Sequence, residues 1–237
     1  MLGFWPRGVV DVGANRGHWT RSVRAIWPNA TFLMVEANAK HRAAWSDLMR
    51  NGSNVSGVTT VLDAKEHDVQ WHTNRNSAGD SLFKEATPAY SNLVPVPRRA
   101  QTLDGVLDRL SVSGIPLIPE LIKLDVQGAE LNVMRGATRA VSMADVIVME
   151  MPFAGAYNSG APRFSEYIAY LDSVGFSPFD IPEQHHMRHM HQSFILQIDM
   201  IFVRKNSRFI DQIQKAIKHL SGRRAIMTVH ASHNKES

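Results

Sequence analysis

The sequence predicts an α/β domain built on a mostly parallel sheet of seven strands, with helices on both faces. Three observations predict it. Short β-rich runs alternate with segments of helical period along the chain. No repeat, low-complexity tract or linker divides its 237 residues, of which 44% are hydrophobic, so one sizeable core is expected. Acidic residues recur at the carboxyl ends of the predicted strands.

The first strand is Gly8 to Val12. A helix follows, with Trp19, Val23, Ile26 and Trp27 on one face, and Pro28 with Asn29 stops it. "ATFLMVEA" is the second strand, and "HRAAWSDLMRNG" a helix with Gly52 as its C-cap. "GVTTVLDA" is the third strand, and "VQWHTN" an added strand or hairpin. The stretch from Asn74 to Pro97 then reads as a loop, long enough to carry function.

Thr102 caps a short helix bearing Leu103, Val106, Leu107 and Leu110. "ELIKLDV" is the fourth strand, Glu130 to Val141 a helix, and "DVIVMEM" the fifth strand. "RFSEYIAYLDSVGF" is a helix closed by Gly175, "FSPFDI" the sixth strand and "FILQIDMIFVRK" the seventh. The division expected is one domain over residues 1–205, then an amphipathic helix within "RFIDQIQKAIKHL" and a frayed basic tail over 206–237. That helix packs on its own domain or serves a homodimer contact.

Bulk composition narrows the function. Lys and Arg number 26 against 22 Asp and Glu, an excess too small and scattered to demand nucleic acid. With no cysteine, disulfides, thiolate-bound zinc and a thiol nucleophile are excluded. No apolar run approaches the roughly 18 residues of a membrane span, so a soluble, cytoplasmic protein is expected.

Five acids lie at or near strand ends: Asp11, Glu36, Asp63, Asp125 and Glu150. In an open α/β sheet the ligand crevice lies there, where strand order reverses. Carboxylates on every side would repel a pyrophosphate. The glycine pattern agrees, because Gly13-Ala14-Asn15-Arg16-Gly17 lacks the third glycine of a dinucleotide fingerprint. A ligand with ribose hydroxyls, an ammonium and a sulfonium suits such a ring, and S-adenosylmethionine carries all three.

In this reading Gly13 and Gly17 allow a tight turn and close approach to the ligand. Asp11 orders the turn and faces the ammonium end, and Glu36 accepts the ribose hydroxyls. Asp63 and Ala64 flank the adenine. The cofactor contacts expected are Asp11, Gly13, Ala14, Asn15, Gly17, Glu36, Ala37, Asp63, Ala64, Ser81, Asp125 and Val126.

The blocks "VVDVGANRGHWT", "FLMVEAN", "GDSL", "TLDGVL", "LIKLDVQGAELNVMRGA" and "IDMIFVRK" resemble, in order from about residue 8 to 205, those of the FkbM-type methyltransferases. "IKLDVQGAE" is the most specific of them. The resemblance implies a class I methyltransferase (Rossmann-like) sheet whose seventh strand is inserted antiparallel. It also implies S-adenosylmethionine-dependent O-methylation of a small molecule, natural product or sugar. The segment "PEQHHMRHMHQS" matches no block of the family.

Asp125 is the catalytic candidate. Methyl transfer is an in-line displacement, and a carboxylate there could position the acceptor, take its proton or bind a divalent metal. Its structural alternative is a cap or a brace for the following loop. Glu130 reads as a first-turn acid facing the helix dipole.

His185, His186, His189 and His191 read as a solvated loop, since Pro182 and the mixed polarity argue against a helix and no nearby cysteine or acid completes a metal-ligand set. That loop leaves the sheet on the crevice side, so its histidines, with Glu150, are substrate-side candidates. Together with Asn74 to Pro97 it is expected to form a lid. The acceptor expected is a small molecule or glycan. A nucleic-acid methyltransferase would show [DN]-P-P-[YF] after the fourth strand, where Asp125-Val126-Gln127-Gly128 stands instead. A methyltransferase acting on protein, or a non-catalytic cofactor-binding module, completes the alternatives.

Overall fold

A computed structural model of the chain describes residues 4–50, 54–73, 79–85, 94–153, 158–189, 192–207, 210–211 and 213–215. The elements are β1 (Gly8–Val12), α1 (His18–Ile26), β2 (Thr31–Glu36), β3 (Val55–Thr59), β4 (Val61–Leu62), β5 (His67–Thr73), β6 (Lys84–Glu85) and β7 (Val94–Gln101). They continue as α2 (Leu103–Val112), β8 (Leu121–Leu124), α3 (Glu130–Arg135), α4 (Thr138–Met143), β9 (Val146–Pro152), β10 (Asn158–Ser159), α5 (Phe164–Ser173), β11 (Phe176–His189) and β12 (Gln192–Arg204).

The main sheet has seven strands in the order β11-β12-β9-β8-β1-β2-β3. β1, β2, β3, β8 and β9 pair in parallel. β12 runs antiparallel to β9 on one side and β11 on the other. This is the class I methyltransferase arrangement, with the last strand inserted antiparallel. β1 pairs with both β2 and β8, so strand order reverses at β1, and the crevice opens at the carboxyl ends around it.

One apolar cluster, with Val10, Leu33, Leu124, Leu131, Ile147, Tyr167 and Phe202, packs one face of the sheet. A second, with Val9, Trp27, Phe32, Met34 and Trp45, packs the other. This alternation along β1 and β2 is what a sheet buried on both faces requires. Trp45 is fully buried and donates its indole N–H to the carbonyl of Asn15 at 2.7 Å. It thereby clamps the turn after β1.

Four expectations need correction. The segment from Pro182 to Ser193 is no loop, since β11 runs on to His189 and hairpins into β12. β11 is an edge strand with register shifts between Pro178 and Asp180, Asp180 and Glu183, and His185 and His186. Edges and bulges tolerate the proline that argued for a loop. The stretch Asn74 to Pro97 also contains strand. β5 and β7 pair antiparallel, and among the described residues Pro95 and Pro97 sit where β7 has no second neighbour, because β4 pairs with Ala100 and Gln101. Residues 74–78 and 86–93 lie outside the described residues.

The helix expected from Glu130 to Val141 is two helices, broken at Gly136 and Ala137. A Cβ on Gly136 would run into the Asp63 carbonyl, so the chain must pass there without a side chain. After β2 a short 3-10 helix, Ala39–Trp45, replaces the longer helix expected, and Gly52 lies outside the described residues. At the carboxyl end residues 210–211 and 213–215 are helical, and Ile210 packs on the second cluster. The rest of that helix and tail falls outside the described residues. Among the described residues no helix is long and apolar enough to cross a membrane.

Candidate active site

A cleft of about 500 Å³ lies at the carboxyl ends of β1, β2, β8 and β9. Its wall includes Gly13, Asn15, Glu36, Ala37, Asp125, Val126, Glu150 and His185, all singled out by sequence. Ser81 lines it too, but its hydroxyl is committed: it donates to the Gln127 carbonyl at 2.7 Å and accepts from the Phe83 N–H at 2.9 Å.

The turn after β1 builds one end. Gly13 has φ +80, and its N–H and that of Ala14 both donate to the Val35 carbonyl, which draws the turn onto β2. A Cβ on Gly13 would collide with the Asp125 carbonyl, so this glycine lets β1 and β8 end side by side. Gly17 does not line the cleft. Its Cβ would meet Leu48, Met34 and Trp45, so its freedom serves packing and the left-handed start of α1. Ala14 is likewise buried in the second apolar cluster.

Asn15, at φ 48, donates its backbone N–H to Glu36 Oε2 at 2.8 Å, and Asn38 donates its own to Glu36 Oε1 at 2.7 Å. Each Glu36 oxygen keeps acceptor capacity beyond these bonds. Burial pushes its carboxyl above the usual range, against the two backbone donors. Asn15 and Gln127 are the two non-glycine residues with positive φ among the described residues, and both line the cleft. Such conformations cost about 1 to 3 kcal/mol each and gather at functional sites.

Asp11 sits beneath the turn rather than on the cleft wall. It is 1% exposed, accepts from the Thr20 hydroxyl at 2.6 Å and lies 3.9 Å from Lys123 Nζ. Burial raises its carboxyl, with Lys123 and Thr20 opposing. Asp63 and Ala64 also stand off the wall. The Asp63 carboxylate binds its own neighbour's N–H and His67, while Thr60, Val61, Leu62 and Trp71 form that side of the cleft.

The other end of the cleft is acidic. Asp125 pairs with Lys123 at 2.8 Å and accepts from Gln127 Nε2 at 3.2 Å, so it caps no helix. The loop brace is Glu130, which accepts from the N–H groups of Val126 and Gly128 and from the Tyr167 hydroxyl. Burial raises the Glu130 carboxyl against these donors. Burial also drives Glu150 well above the carboxylate range, helped by Asp125, Glu130 and Asp199. Lys123 is a charged lysine inside the sheet: burial opposes the ammonium, but Asp125 and Asp11 outweigh it and hold its pKa above the ordinary value.

Sequence reasoning missed Lys123, Gln127, Gln197, Asp80 and Asp199. Only Lys123 left a signal, as a cation inside the apolar strand "LIKL" two residues before Asp125. Of the histidines, His185 reaches the cleft, whereas His186 is exposed and off its wall. The His189 side chain and the whole of His191 lie outside the described residues. The expectation that no nearby acid joins the histidines needs correction, since ligand atoms of Glu150, His185 and Asp199 lie within 4.8 Å of one another and His185 Nε2 is 3.7 Å from Glu183.

The sequence model of the Methyltransferase FkbM domain matches residues 11–178. No curated protein matches the chain. Among solved structures, the chain is similar to precorrin-6y C5,15-methyltransferase from Geobacter metallireducens GS-15, at 11% identity and TM-score 0.44, over 86% of this chain and 83% of that one. It is also similar to the fibrillarin pre-rRNA processing protein of Methanococcus jannaschii, at 10% identity and TM-score 0.47, over 87% and 70%.

Proposed function

The chain belongs to the FkbM methyltransferase family, and from that premise we propose that it methylates a hydroxyl oxygen of a small molecule, natural product or sugar, using S-adenosylmethionine. The observation that supports this reading is the charge of the cleft. Glu36, Asp80, Asp125 and Glu150 all lie on its wall, a setting for a cationic donor and for a neutral or cationic acceptor. The same wall disfavours phosphate-rich acceptors such as nucleic acid.

In this reading S-adenosylmethionine supplies a methyl on a positively charged sulfur: the acceptor oxygen bonds to that carbon, the carbon–sulfur bond breaks with its electrons left on sulfur, and the hydroxyl proton departs. The residues at the turn, Gly13, Asn15, Glu36 and Ala37, hold the nucleoside end, with Glu36 accepting from ribose hydroxyls. Val61, Leu62 and Trp71 offer an apolar wall for the base. Asp125, its side chain 31% exposed, orients the acceptor oxygen and takes its proton. Lys123 is a positioning residue that fixes one Asp125 oxygen, and Gln127 ties the other side of Asp125 to Glu150.

Incubation with S-adenosylmethionine labelled in its methyl group, followed by mass spectrometry across hydroxylated metabolites and glycans, tests the reading. The expected product carries the label on oxygen. Label found instead on nitrogen, on nucleic acid or on protein would overturn it.

A further inference from the structure

We infer that Glu150, His185 and Asp199 hold a divalent metal ion at the β9 end of the cleft; its role in methyl transfer rests on the function proposed above, while its binding does not. Asp199 on β12 stands directly opposite Glu150 on β9 in the antiparallel register, and Glu183 on β11 stands opposite Asp199 from the other side. Like charges facing each other across antiparallel strands destabilise a sheet. Water screens the Glu150–Asp199 pair poorly, because Glu150 is only 9% exposed and Asp199 is half-buried, whereas Glu183 is exposed. Lys123, the buried lysine of this region, is engaged with Asp125 at 2.8 Å and Asp11 at 3.9 Å. A divalent ion would offset the charge of this row, which Lys123 meets only in part and His185 borders, its Nε2 3.7 Å from Glu183.

The geometry supplies a seat for one. Ligand atoms of Glu150, His185 and Asp199 lie within 4.8 Å of one another. Ligands about 2.1 Å from a shared metal stand roughly 3 Å apart at right angles, so modest side-chain rotation closes the set. His185 has its side chain 39% exposed and its Nε2 3.7 Å from the more exposed Glu183 carboxylate, a contact it would give up on turning to the metal. Two carboxylates suit a hard divalent ion such as Mn²⁺, with one imidazole nitrogen completing the set. Glu150 is already oriented: Gln127 and Gln197 each donate an amide N–H to one of its oxygens at 2.6 Å, leaving acceptor capacity on both. Outer hydrogen bonds of this kind orient metal ligands.

Three protein ligands leave coordination positions open, and Glu150 and His185 face the cleft. A metal seated there would accept the acceptor's oxygen and lower the pKa of its hydroxyl, with the proton passing to Asp125.

The test is electron paramagnetic resonance of Mn²⁺ titrated into the chelator-treated, full-length protein. Wild type is expected to bind one Mn²⁺ per chain saturably. Affinity is expected to fall at least about tenfold in Asp199→Asn and in His185→Gln, with thermal melts confirming that both fold. Asp108→Asn, on the surface at α2, is expected to bind as wild type. No saturable site in the wild type, or a site that survives both substitutions, would overturn the inference. Mn²⁺ binding in a protein that transfers no methyl to oxygen would leave the metal site standing and sink the proposed function instead.

Discussion

Asp125→Asn is expected to lower turnover by about two orders of magnitude or more while leaving the affinity for S-adenosylhomocysteine nearly unchanged. The substitution keeps size and one acceptor oxygen, which can retain the contact to Lys123, while its new amide N–H group faces the Gln127 donor and loses that longer bond. What it removes is the group proposed to take the acceptor's proton. A loss confined to turnover, with binding intact, is the signature of an interaction made in the transition state. Single-turnover rates and calorimetry measure the two sides. Full activity would return Asp125 to a purely structural partner of Lys123. Loss of product binding in step with activity would place it on the cofactor instead.

Glu36→Ala is expected to weaken binding of S-adenosylhomocysteine by roughly 1 to 3 kcal/mol, a loss of about 5- to 150-fold. Two causes act together. The acceptor proposed for the ribose hydroxyls disappears, and the N–H groups of Asn15 and Asn38 lose the carboxylate that pins the turn to β2. Glu36→Gln separates them, since the amide keeps one acceptor oxygen for the turn, and it is expected to lose less than the alanine variant. Calorimetry reads both. Unchanged affinity in Glu36→Ala would put the ribose elsewhere in the cleft.

The half of the site around β1 and β8 was legible because its signals are local. An apolar strand, a glycine turn and a helical pattern fall within "VVDVGANRGHWT", and "IKLDVQGAE" carries its acid, loop and helix start in one run. The structure brings the strand-end acids Glu36, Asp125 and Glu150 to one cleft because parallel strands present their carboxyl ends on the same side. The glycine of the turn that reads as a ligand contact, Gly17, shows the limit of local reasoning. Its need for space comes from Leu48, Met34 and Trp45, which approach from elsewhere in the chain.

The other half depends on register. Asp199 lies inside the apolar run "FILQIDMIF", and only the antiparallel pairing of β12 with β9 sets it opposite Glu150. A strand's register cannot be read from its own residues when the partner is distant. The histidine segment misled for a related reason. β11 is an edge strand with bulges and exposed side chains, so it lacks the alternation that marks a half-buried strand. Its prolines then look like loop residues. Asp63 marks the opposite error: its acid stands near a strand end, as expected, but turns to His67 while Thr60 to Leu62 line the cleft.

The central claim is that this acidic cleft is a seat for S-adenosylmethionine and not for a dinucleotide. Calorimetric titration of the wild-type protein with S-adenosylhomocysteine and with NAD, in the same buffer, tests it most directly. Saturable binding of S-adenosylhomocysteine at one site per chain, with none or far weaker binding of NAD, is the result predicted from the carboxylates on the wall and the absent third glycine. NAD binding as tight or tighter, or no binding of S-adenosylhomocysteine, would contradict it.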